Sequence, residues 1–158
     1  MIEVKIKLNG GTMPKKTTKG AAAFDLYVPE DVEVKGGRQI INMGFSMEIP
    51  HGYAATIQPR SGFSAKGIEV KVRTEDGGWS DYRLDSDVRR GLIDEDYRGN
   101  VGVILMTREY VHSTTIIKKG TRIAQMQIVE VPHVELIEVE ELSDTDRGEG
   151  GFGHTGVR

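Results

Sequence analysis

Period-two alternation of apolar and polar residues, repeated in short blocks along the chain, constrains the fold more than any other feature. Ile2, Val4, Ile6 and Leu8 alternate with Glu3, Lys5 and Lys7 until Asn9-Gly10-Gly11 stops the run. Successive side chains of a strand point to opposite faces, so this pattern predicts a half-buried strand. Val32 and Val34 start another, turned by Gly36-Gly37, and Gln39–Pro50 and Gly52–Gln58 read as apolar-rich strands joined at Pro50-His51-Gly52. Ile68, Val70 and Val72 alternate, Asp76-Gly77-Gly78 signals a turn, and Trp79, Tyr82 and Leu84 return, which is the pattern of a β-hairpin. Val101–Met106, Thr114–Ile117, Thr121–Ile128 and Val134–Leu142 complete the series. Phe63–Lys66 alone has the makings of a short helix, with Ser61 as its N-cap and Gly67 just past its end. Many short strands and almost no helix predict an all-β sandwich or barrel.

At 158 residues the chain is long enough for one domain with a real core. Its net charge of −3 and pI of about 5.8 argue against a nucleic-acid polymer as partner. The absence of cysteine excludes a disulfide framework and thiolate chemistry, and suits a reducing compartment. Met1-Ile-Glu-Val-Lys5 has no apolar signal region and no run approaches the ~20 residues of a membrane helix, so the expectation is a cytoplasmic protein with no membrane contact.

Four stretches carry chemistry. In Gly91-Leu-Ile-Asp-Glu-Asp-Tyr-Arg-Gly99, three carboxylates, a tyrosine and an arginine lie between apolar flanks, so charge sits at a strand–turn junction close to a core. Asp94 reads as a general base beside a small polar substrate, with Tyr97 as a wall of its pocket. Asp25, between Phe24 and Leu26 after three alanines, is either a buried turn aspartate or a functional one. Pro59-Arg60-Ser61-Gly62 offers a guanidinium fork, a hydroxyl and an unshielded N–H before a helix, which is either an anion site or an ordinary capped turn. The terminal segment from Asp144 contains a formal G-x-G-x-x-G at Gly148, Gly150 and Gly153, but no strand precedes it and no helix can follow, so it is not a dinucleotide loop. It is either a disordered tail or an arm that closes on a ligand, with Arg147 and backbone N–H groups on phosphates and Phe152 on a ring.

In their order, these stretches resemble the motifs of the trimeric deoxyuridine triphosphatases (dUTPases): Ala22–Tyr27, Pro59–Gly62, Gly91–Gly99, Gly120-Thr-Arg-Ile-Ala-Gln125 and Arg147–Gly156. The resemblance covers nearly the whole chain. It implies a distorted jelly-roll or β-barrel of the dUTPase-like β-clip kind, with one short helix. Residues 1–143 would form the barrel domain, and residues 144–158 a flexible, glycine-rich arm closing over an active site. The implied activity is hydrolysis of dUTP to dUMP and pyrophosphate by a homotrimer with shared active sites and Mg2+. Such an enzyme limits uracil incorporation into DNA and supplies dUMP for dTMP synthesis.

Carried onto this chain, the resemblance makes Asp94 the residue that activates water for attack on the α-phosphorus. Tyr97 packs on the deoxyribose, Arg60, Ser61, Gly62 and Gln125 belong to the phosphates, and Asp25 approaches the metal through water. Arg147 meets the γ-phosphate and Phe152 covers uracil, with Gly153, His154 and Thr155 completing the arm. Two departures stand out: Val88-Arg89-Arg90 stands where many relatives have small residues or an asparagine before the third motif, and the hairpin at residues 68–84 is an addition. That hairpin either contacts a neighbouring subunit or outside partner through Trp79 and Tyr82, or packs on its own barrel. The competing functions are a dCTP deaminase on the same fold and a binding protein that uses the scaffold and hairpin. His51, His112 and His133 lack metal-ligand spacing and read as surface or turn residues.

Overall fold

A computed structural model describes residues 1–150. The chain is built from four small β-sheets and, among the described residues, a single short helix. Most of the expected strands and the hairpin are present, as a jelly-roll-like packing of sheets; among the described residues no barrel closes.

The sheet that positions the candidate site residues has the order β10-β6-β13-β2, formed by Gly91–Ile93 (β10), Tyr53–Pro59 (β6), Arg122–Glu130 (β13) and Phe24–Tyr27 (β2), all antiparallel. A second sheet pairs Lys5–Leu8 (β1) with Phe45–Glu48 (β5). A third runs Gly37–Asn42 (β4), Gly102–Thr107 (β11) and Ser86–Arg89 (β9). The fourth runs Val32–Glu33 (β3), Thr115–Ile117 (β12), Ile68–Arg73 (β7) and Trp79–Leu84 (β8). Their inner faces meet over one core in which Leu26, Phe45, Ile57, Leu105, Ile117 and Ile123 are fully buried. Burying each such side chain stabilises the fold by about 1.5–3 kcal/mol.

Three expectations change. Gln39–Pro50 is two strands, because Gly44 turns the chain at φ 69°, a left-handed conformation that favours glycine. The helix (α1) starts at Ser61 and ends at Lys66, with Arg60 as the N-cap residue and no side-chain cap. Arg60 stays extended because it continues β6 while its guanidinium is held by Asp25, which leaves Ser61 inside the first turn with its hydroxyl uncommitted to capping. Gly67 closes the helix as anticipated, its N–H donating to Phe63. Finally, Val134–Leu142 forms no strand and lies exposed, since a strand needs a partner edge and no described residue offers one to it.

The hairpin at residues 68–84 forms as expected and is joined to the domain at its base. Its first strand, β7, pairs with β12, and Ile68, Val70 and Leu84 are core residues. Trp79 and Tyr82, both half-exposed, have partners on their own chain: Arg73 lies over the Trp79 ring at 5.2 Å, and the Tyr82 hydroxyl donates to Glu109 at 2.7 Å.

Candidate active site

Register across the β2-β13-β6 strands brings Asp25, Gln125 and Gln58 into one row on one face, because Gln125 stands opposite both Asp25 and Gln58. The next residues of β6 lead through Pro59 into Arg60, Ser61 and Gly62, so the first, second and fourth sequence motifs converge at one end of this sheet. They line a cleft of about 300 Å3 with the small side chains of Ala21–Ala23, which leave room beside Asp25. Gln125 is fixed there by donating its Nε2 to the Pro59 carbonyl at 3.2 Å.

Asp25 is buried and accepts from donors on both oxygens. Oδ1 accepts from Arg60 Nε at 2.8 Å, while Oδ2 accepts from the Thr17 hydroxyl at 2.7 Å and from Arg122 Nη1 at 3.1 Å. Burial pushes the carboxyl pKa up, but the Thr17 and Arg122 hydrogen bonds and the two guanidinium charges outweigh it, leaving the group below its ordinary value. Two arginines against one carboxylate give this end of the sheet a net positive charge, which suits a polyanionic ligand.

Arg122 and Thr17 join this cluster, and sequence reasoning passed over both. Arg122 reaches the cluster through a β-bulge. Regular alternation from Gln125 would put Ile123 opposite Tyr27 and turn Arg122 to the far face; instead the register shifts so that Arg122 stands opposite Tyr27, on Asp25's face. Ile123 and Ala124 are then both buried in succession. The consecutive apolar pair Ile123-Ala124 after the arginine breaks the alternation that resumes through Gln127, and is the trace of this in the sequence.

Asp94 and Tyr97 are elsewhere. β10 ends at Ile93, opposite Ala55, so Asp94 leaves the sheet beside the beginning of β6, whereas Arg60 and Ser61 follow its end. At about 3.3 Å per residue the two groups are on the order of 20 Å apart. The turn carrying Asp94 is tied down by its neighbours: Tyr97 N–H donates to the Asp94 carbonyl at 3.2 Å, the Tyr97 hydroxyl to the Asn100 carbonyl at 3.0 Å, and Arg98 Nη1 to the Glu95 carbonyl at 2.5 Å. Glu95 bonds His51 and the Gly52 N–H. Asp94 itself is exposed, and Tyr97 about half so.

Arg147 lies in the exposed segment beyond β13, where its Nε donates to the Gly150 carbonyl at 2.7 Å. Phe152, Gly153, His154 and Thr155 lie outside the described residues.

The dUTPase family model matches residues 9–79 and 80–156. A deoxyuridine 5'-triphosphate nucleotidohydrolase of Nautilia profundicola is 45% identical over 98% of this chain and 99% of its own length. The chain belongs to the dUTPase family. Membership in the dUTPase family places it among the hydrolases, as the motifs implied. Among solved structures, the dUTPase of Staphylococcus bacteriophage 80alpha with dUPNHPP is similar at a TM-score of 0.77 and 27% identity, over 98% of this chain and 99% of the other. A variant dUTPase from phage phi11 of S. aureus, described with a structural Mg(II) ion, shares the fold at a TM-score of 0.72 and 22% identity, over 90% of this chain and 99% of its own.

Among the described residues no group of three or more His, Asp or Glu side chains is placed to hold a metal ion. Asp25 already accepts three hydrogen bonds, which leaves its carboxylate one free acceptor position. That suits a contact through a metal-bound water and not direct ligation. Mg2+ keeps several waters and takes much of its shell from substrate phosphates, so a dUTPase site of this composition fits it. No helix among the described residues is long and apolar enough to cross a membrane.

Proposed function

We propose that the protein hydrolyses dUTP to dUMP and pyrophosphate as a homotrimer in which each active site draws residues from more than one subunit. The observation that carries the shared site is the separation of Asp94 and Tyr97 from Arg60, Ser61 and Gln125 by the length of β6, although all are needed around one nucleotide. A second copy brings one chain's Asp94 turn to another chain's phosphate cleft.

The outer surface supports assembly. Val134, Leu136, Ile137, Val139 and Leu142 are exposed in a segment that pairs with no strand among the described residues. An apolar groove lined by Val4, Ile6, Met13, Phe24 and Ile128 lies along β1, whose outer edge pairs with no strand among the described residues. The segment of a second copy fits that groove and edge, covering both apolar surfaces at once.

In the assembled site Asp94 orients a water in line with the α-phosphorus and takes its proton as the new P–O bond forms. The bond from the α-phosphorus to the bridging oxygen breaks, and pyrophosphate leaves. General-base help of this kind is worth about 10²–10⁴ in rate. Arg60, Ser61, Gly62 and Gln125 hold the phosphates, with Arg60 oriented by Asp25. Tyr97 packs on the deoxyribose and leaves no space for a 2′-hydroxyl. The arm at residues 144–158 closes the site, Arg147 on the γ-phosphate, Phe152 over uracil, and Gly153, His154 and Thr155 at the phosphates. Asp25 would hold Mg2+ through water beside the triphosphate, where the ion would supply charge neutralisation. The protein so described works in the cytoplasm.

Pyrophosphate release from micromolar dUTP with Mg2+ tests the reaction, with dCTP and ammonia detection as the parallel arm. Turnover of dUTP without ammonia release from dCTP is expected. Inertness toward dUTP would reject the assignment, and ammonia release would favour the deaminase.

A further inference from the structure

We infer that Glu95 is a positioning residue that aims Asp94 by gripping the turn between β5 and β6. The inference rests on the role proposed above for Asp94.

β10 ends at Ile93, so from Asp94 onward no ladder of strand hydrogen bonds holds the backbone. Something else must fix the first residue past the sheet, because a base displaced by about 1 Å can cost on the order of a hundredfold in rate. The next residue supplies it. Glu95 Oε2 accepts the backbone N–H of Gly52 at 2.7 Å, and Oε1 lies 2.8 Å from His51 Nδ1. Both partners belong to the Pro50-His51-Gly52 turn, itself closed by the Tyr53 N–H donating to the Pro50 carbonyl at 3.2 Å.

Engaging both carboxylate oxygens with two donors of one turn fixes the orientation of the side chain as well as its distance. The turn in turn opens β6, the strand that pairs with β10, so the grip closes a loop between Asp94 and the sheet it has just left. From the other side Arg98 Nη1 holds the Glu95 carbonyl at 2.5 Å. Glu95 is thus fixed at its backbone and its side chain, and Asp94 is one peptide away. The two prongs are unequal. His51 is 90% exposed and works against solvent, while the Gly52 N–H is a fixed backbone donor that is only partly accessible. The acidic neighbour therefore orients the base without touching substrate.

Steady-state kinetics with dUTP and Mg2+, binding of a non-hydrolysable dUTP analogue, and thermal melting of the intact protein test this. Glu95→Ala is expected to lower kcat about tenfold while KM and analogue binding stay within about twofold. Glu95→Gln keeps an acceptor for Gly52 N–H and a donor for His51 and is expected to recover most of the loss. Glu95→Asp, one methylene short of bidentate reach, serves where the alanine variant does not fold, and is expected to retain the defect. A full kcat in Glu95→Ala or Glu95→Asp, or equal damage in Glu95→Gln, overturns the grip. Asp94→Asn separates the two claims: if it is inactive and Glu95→Ala is not, only the positioning role fails; if Asp94→Asn retains more than a tenth of the activity, the role of Asp94 itself fails.

Discussion

Asp94 and Ser61 lie at opposite ends of one strand, β6: Asp94 follows Ile93, which pairs with Ala55 near the start of β6, and Ser61 stands two residues after Pro59 at its end. A rigid strand cannot fold back to join them, so both serve one nucleotide only when they come from different subunits.

Two inactive variants should therefore rescue each other. Asp94→Asn removes the base, and Ser61→Glu sets a carboxylate where phosphate is to lie, on an exposed residue whose substitution leaves the core intact. Each alone is expected to be inert. Chains unfolded together and reassembled at equal amounts should recover about a quarter of wild-type activity, since random assembly gives that share of sites two intact contributions. Failure of the mixed trimers to turn over dUTP would place the site within one chain.

Asp25 supplies a second test, because its donors make it a stability residue as much as a site residue. Asp25→Asn leaves the Arg60 and Arg122 guanidinium groups facing a neutral partner, and is expected to cost about 3 kcal/mol at neutral pH by urea unfolding. Since the folded-state pKa is lowered from 3.8, the contribution is present above that value and is lost as pH falls through the lower one. Wild type and variant should converge in stability at acid pH. A difference that persists undiminished to the lowest pH would mean the charge of Asp25 is not what stabilises the cluster.

The strand pattern was readable because alternation is a local property. The hairpin at residues 68–84, the strand at Gly102–Thr107 and the end of the helix at Gly67 all follow from neighbouring residues. What escaped the sequence depends on register between distant strands. The row of Asp25, Gln125 and Gln58 exists only because three strands align, and Arg122 joins it only through a bulge that alternation argues against. Ser61 was displaced from the cap position by an ion pair between residues 35 apart. The distance between Asp94 and Ser61 was likewise invisible, since motif order says nothing of which end of a strand each motif leaves.

The His51–Glu95 contact predicts an observable titration. The Glu95 hydrogen bond and charge raise the His51 pKa above 6.5, and the same contact lowers Glu95 below 4.5. A raised histidine value stabilises fully below 6.5 and is lost as pH rises through the folded value; the lowered carboxylate value stabilises above 4.5 and is lost as pH falls. The pair is therefore strongest between those limits. Following the His51 ring protons by NMR should give a midpoint above 6.5 that returns to the ordinary value in Glu95→Gln. A midpoint unmoved by the substitution would show that the contact is not held in solution.

Gly99 holds Tyr97 in place by being small. A Cβ there would meet the Tyr97 hydroxyl at 2.3 Å and its ring carbons at 2.6 and 3.0 Å, so Gly99→Ala must swing the ring away from the Asn100 carbonyl. Because Tyr97 is proposed to exclude a 2′-hydroxyl, the variant is expected to lose discrimination between dUTP and UTP about tenfold in kcat/KM, with little loss of stability. Unchanged discrimination would remove the pocket-wall role.

Removing the hairpin tests how much of it belongs to the fold. Deleting Glu69–Leu84 takes Val70 and Leu84 from the core and strips β12 of its pairing with β7, leaving buried backbone groups without partners. Two lost core side chains at about 2–3 kcal/mol each approach the whole stability of a marginal domain. That deletion is expected to abolish folding, which circular dichroism would show. Shortening the exposed tip at Thr74–Gly78 removes no core residue and should leave a folded protein. Trp79→Ala breaks the contact with Arg73 and leaves both core strands intact. If Trp79→Ala keeps the oligomer mass and the dUTP turnover of the parent, the aromatic face of β8 serves its own chain; a fall in either assigns it to the contact between subunits.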